Sequence, residues 1–68
     1  MNNTGEKILI ALEAVFDGEE KKAEAILFNY LNNSAGIGEH PDVVQAVESQ
    51  IEAIANAEEK IETIRKHF

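Results

Sequence analysis

The sequence predicts an all-α protein: a helical hairpin followed by one long C-terminal helix, together a three-helix bundle in a single domain spanning residues 1–68. Three observations lead there. Apolar residues recur at steps of three and four in three separate stretches, the spacing of one helix face. Asp17-Gly18 punctuates the boundary between the first two stretches. The run Gly36-Ile37-Gly38-Glu39-His40-Pro41-Asp42 separates the second from the third.

The first helix is expected over residues 4–16. Asn3 and Glu6 have capping-box spacing, with Thr4 as a competing N-cap one residue later. Ile8, Leu9, Leu12, Val15 and Phe16 then form one apolar stripe, with Glu13 outside it and Ile10 stranded off it. Gly18 suits a left-handed C-cap, while Asp17 with Glu20 can cap the next helix. Such a two-residue break makes an αα-hairpin, or else a kinked continuous helix. The second helix, over residues 19–32, opens on Glu19 and Glu20, acids where the helix dipole favours them. Its stripe is Ala23, Ile26, Leu27, Tyr30 and Leu31, and Phe28 points away from it. Asn32-Asn33-Ser34 favours turns over helix, so the helix ends there.

Residues 33–40 read as a linker that stops one helix, bends and starts another. Gly36 and Gly38 give the backbone access to positive φ. Pro41 belongs in a first helical turn, where its missing N–H costs nothing, and Asp42 adds negative charge at the positive end of the dipole. The third helix, over residues 41–67, would be a rod of about 40 Å. Val44, Val47, Ile51, Ile54, Ala57, Ile61, Ile64 and Phe68 advance along it close to coiled-coil spacing, although Glu58 and Arg65 interrupt a strict heptad. Arg65, Lys66 and His67 place positive charge at its negative end.

Composition narrows the function classes. A formal charge of −7 opposes binding to a phosphate backbone, so no nucleic-acid partner is expected. No apolar run reaches the ~18 residues of a membrane span. The opening Met1-Asn2-Asn3-Thr4-Gly5-Glu6-Lys7 lacks a basic region leading into an apolar core, so no secretion signal is expected and the reading is a cytoplasmic protein. With no cysteine, disulfides and thiolate zinc sites are excluded. A chain of 68 residues is near the lower limit for a self-sufficient core and needs some other staple. Each short helix covers only half of the long one, which leaves apolar surface for a second copy. The expectation is a homo-oligomer, most simply a two-fold dimer through the long helix. Ile10, Phe28, Ile54, Ile61 and Phe68 are its candidate interaction residues.

The sequence offers little catalytic chemistry. Glu39-His40 could serve as a metal-ligand or acid–base pair, but His40 more simply fills the position before Pro41, with no third ligand in view. Gly36-Ile37-Gly38 has no preceding strand and no following Lys or Thr, so it is a poor phosphate cradle. The thirteen carboxylates form no calcium-loop pattern and read as solvated helix faces. No nucleophile, base and orienter are mutually placed, so no catalytic, cofactor or metal residue is expected.

The stretch Gly36-Ile37-Gly38-Glu39-His40-Pro41-Asp42-Val43-Val44, followed by an acidic amphipathic helix, resembles small uncharacterised helical proteins of marine tailed bacteriophages. Glu6-Lys7-Ile8-Leu9 and Ala11-Leu12 add to the likeness. That resemblance implies a phage-encoded accessory or virion-associated protein acting in a bacterial host. The functional expectation is a non-enzymatic, oligomeric protein–protein interaction module. The alternative is a small-molecule or metal-binding protein that uses Glu39 and His40. Mimicry of DNA by the acidic surface is disfavoured by the even scatter of charge along the helices.

Overall fold

The structure, a computed structural model, describes residues 3–32 and 41–68. Among these residues the chain forms two helices packed against each other, α1 (Asn3–Asn32) and α2 (Pro41–His67). The all-α class is therefore shown, but the three-helix bundle is not. The helices expected over 4–16 and 19–32 are one continuous helix of 30 residues. Gly36, Gly38, Glu39 and His40 lie outside the described residues, and α2 opens at Pro41.

The correction at Asp17-Gly18 has a physical reason. A glycine inside a helix costs about 1 kcal/mol relative to alanine, but stopping there would cost a second helix nucleation. Strong helix formers, Glu19 to Lys22, follow immediately, and Asp17 stands one turn before Lys21 in the favourable order. Above all, the apolar stripes on either side are in phase. Leu9, Phe16, Ala23 and Tyr30 fall exactly seven residues apart across the supposed break. A turn would have reset that phase. Gly18 itself faces outward with nothing within 4 Å of where a Cβ would stand, and no described glycine has positive φ.

Burial marks a coiled-coil seam on both helices. In α1 the positions shielded from solvent include Leu9, Glu13, Phe16, Glu20, Ala23, Leu27 and Tyr30, alternating steps of four and three. In α2 they include Val43, Val47, Gln50, Ile54, Ala57, Ile61 and Ile64, at the same alternation. The helices run antiparallel: Arg65 meets Glu13, and Lys60 lies over Phe16. Only Ala23 and Ala57 are fully buried, at 2% and 1% exposure. Small side chains there let the two backbones approach, and nothing larger is enclosed anywhere among the described residues.

The result is a rod of 53 × 15 × 13 Å. Its radius of gyration, 15.7 Å, is well above the ~11 Å of a compact chain this long.

Two substitutions test this description. Gly18→Ala should stabilise the protein by about 0.5–1 kcal/mol, because the site is helical and open; had Gly18 been a left-handed cap, the same change would lower the melting temperature. Ala57→Leu should destabilise by about 1–3 kcal/mol by forcing the helices apart, a loss measurable by denaturant titration.

Candidate functional site: two edges of the helical hairpin

Seven-residue spacing sorts the exposed side chains into two edges flanking the seam. On the first edge, Ile10 and Asp17 lead to Leu31 along α1, with Phe28 beside them, and Val44, Ile51, Glu58 and Arg65 run along α2. Two shallow grooves lie along it. One, near the open end, is lined by residues including Ile10, Glu13, Arg65 and Phe68. The other, midway, is lined by Asp17, Glu20, Glu58, Ile61, Glu62 and Arg65. The second edge carries Ile8, Leu12 and Val15 near the open end, and then a groove lined by residues including Glu19, Lys22, Ile26, Ala53 and Lys60.

Much of this surface is apolar. Ile8, Ile10, Leu12, Val15, Phe28, Leu31, Val44, Ile51 and Phe68 are all exposed, with Phe28 at 66% and Phe68 at 73%. Scattered apolar residues are ordinary on a surface. Among the described residues they outnumber the enclosed ones and fall on two strips.

Of the residues singled out from sequence, Ile10, Phe28 and Phe68 lie exposed on the first edge. Ile54 and Ile61 are half-buried in the seam, facing α1 of the same chain. Gly36, Gly38 and His40 lie outside the described residues, and Pro41 begins α2. Sequence reading placed Val44, Ile51, Leu31, Ile8, Leu12 and Val15 in apolar stripes, yet all are exposed. The seam rotates away from them and takes in Glu13, Glu20 and Gln50 instead. The strict seven-residue series through Leu9 and Phe16, and through Val47 and Ile54, is the signal that identifies it.

Polar contacts among the described residues tie the helices together and brace α2. Arg65 Nε donates to Glu13 Oε1 at 2.6 Å, with the arginine 73% exposed; such a pair contributes roughly 0–1 kcal/mol. Lys60 Nζ sits 5.1 Å from the centre of the Phe16 ring, within range of a weak cation–π attraction. Thr63 Oγ1 donates to the Glu59 carbonyl within α2. Glu20 is the seam carboxylate whose proton is held more tightly than usual. Partial desolvation, then the carboxylates of Glu58 and Glu24, hold its carboxyl above the usual range, and Lys21 pulls weakly the other way.

Among the described residues, no group of three His, Cys, Asp or Glu side chains is placed to hold a metal ion. No described helix is long and apolar enough to cross a membrane. Compared with models of known families, with curated proteins and with solved structures, the chain matches none.

Glu20 yields a pH prediction. The folded chain holds this proton more tightly than the unfolded chain. Stability is therefore gained as pH falls through the window between the two pKa values, and lost as pH rises through it. Glu20→Gln should raise the melting temperature at pH 7 and remove part of the native rise toward acid. A lower melting temperature for the variant at pH 7 would show that the Glu20 carboxylate is favourably partnered.

Proposed function

We propose that this protein is a non-enzymatic helical interaction module that works as a homo-oligomer, a dimer at the least. The observation that carries the reading is the exposed apolar surface along both edges of a helix pair that, among the described residues, encloses two alanines. Its magnitude supports the same view. The chain exposes 5254 Å², whereas a compact monomer of this mass exposes about 4,200 Å². The excess, about 1,000 Å², is close to the ~800 Å² that each partner contributes to a standard interface.

The acidic outer positions of α2, Glu48, Glu52 and Glu59, are exposed and keep such an assembly soluble. The phage resemblance fits an accessory role in the cytoplasm of an infected bacterium.

Because folding and association would be linked, the melting temperature should rise with protein concentration. Sedimentation equilibrium at micromolar concentration should give a mass of at least twice 7.5 kDa. A folded 7.5 kDa species with a concentration-independent melting temperature would overturn the reading.

A further inference from the structure

The two edges of the hairpin differ in charge and match in sequence of zones. Midway along the first edge, acids predominate: Asp17, Glu20, Glu24, Glu58 and Glu62, against Lys21 and an Arg65 already held by Glu13. Midway along the second edge, Lys22 and Lys60 outnumber Glu19. Lys60 is also engaged with Phe16, yet it remains exposed. Toward the open end, both edges are apolar, with Ile10 and Phe68 on the first and Ile8, Leu12 and Val15 on the second. Toward the loop end, the first edge presents the large side chains Phe28, Leu31, Val44 and Ile51. The second presents Ile26 beside the small residue Ala53, with Ala46 one heptad before Ala53 on α2.

We infer that a second copy of this chain docks side by side in the same direction, its second edge against the first edge of its neighbour. Apolar ends then meet apolar ends, the acidic middle meets the basic middle, and bulky side chains at the loop end meet alanines. Pairing the first edge with itself would bring the two acidic middles together, which like-charge repulsion opposes. Two unlike surfaces in contact make a heterologous interface. Each added copy uses one of its edges and leaves the other free, so the assembly grows past two chains and closes as a ring or continues as a filament. This inference rests on the self-association proposed above and specifies its surfaces.

Charge reversal tests it. One variant carries Lys22→Glu and Lys60→Glu, and a second carries Asp17→Lys, Glu58→Lys and Glu62→Lys. Each alone should be helical by circular dichroism and fail to assemble at concentrations where the native chain does. An equimolar mixture should assemble, because each variant restores the complement of the other. Should the Lys22/Lys60 variant retain the native mass, the second edge is not an interface and the inference fails while self-association stands. A monomeric native chain would overturn both.

Cysteine cross-linking keeps the test open if a charge variant does not fold, since the native chain has no cysteine. Under mild oxidation, Ile51→Cys mixed with Ala53→Cys should form a disulfide between the two variants. Ile51→Cys alone should remain unlinked; efficient linkage to itself would instead establish two-fold pairing of the first edge and overturn the inference.

Discussion

The seam between α1 and α2 is the constraint on which everything else depends, and it is a thin one. Ala23 and Ala57 close it at one level, and every larger seam residue is only partly shielded. Two helices in contact can cover each other along one line only; a third or fourth helix is needed to enclose a side chain as large as Phe16 or Ile61. Burial at ~25 cal/mol per Å² therefore accrues to half-covered side chains, while the conformational entropy of some sixty ordered residues opposes folding in full. The exposed edges follow from the same geometry. They are what remains of an amphipathic pattern wider than one partner helix can cover.

Charge in the seam sharpens the point. Glu13 and Glu20 occupy positions where a self-contained coiled coil would place apolar residues. Glu13 is answered by Arg65, but Glu20 faces Glu58. Polar residues at such positions lower stability while fixing register. Glu20 lies midway along α1, with apolar seam residues on both sides of it: Leu9, Phe16 and Ile64 toward one end, Leu27, Tyr30, Val43 and Val47 toward the other. Stability should accordingly be sensitive to salt and pH.

Helical content, the start of α2 at Pro41 and the exposure of Ile10 and Phe28 away from their stripes were legible from residue types and spacing. The number of helices was not. Asp17-Gly18 carries the local chemistry of a turn, which points against the long-range phase of Leu9, Phe16, Ala23 and Tyr30. The direction of each face was missed for a related reason. Ile8, Leu12, Val44 and Ile51 are the more hydrophobic choices, so a stripe drawn through them omits Glu13, Glu20 and Gln50. The helices turn that richer side outward. In a chain too small to bury all its apolar residues, hydrophobicity marks interface as readily as core, and only the strict seven-residue repeat separates them.

Amide hydrogen exchange measured at several protein concentrations tests the central claim most directly, since it reads helix continuity and association together. A hairpin with one unbroken α1, completed by other copies, predicts protected amides through Asp17, Gly18 and Glu19, with protection across both helices rising with concentration. Rapid exchange at those three amides, with protection elsewhere independent of concentration, would contradict it.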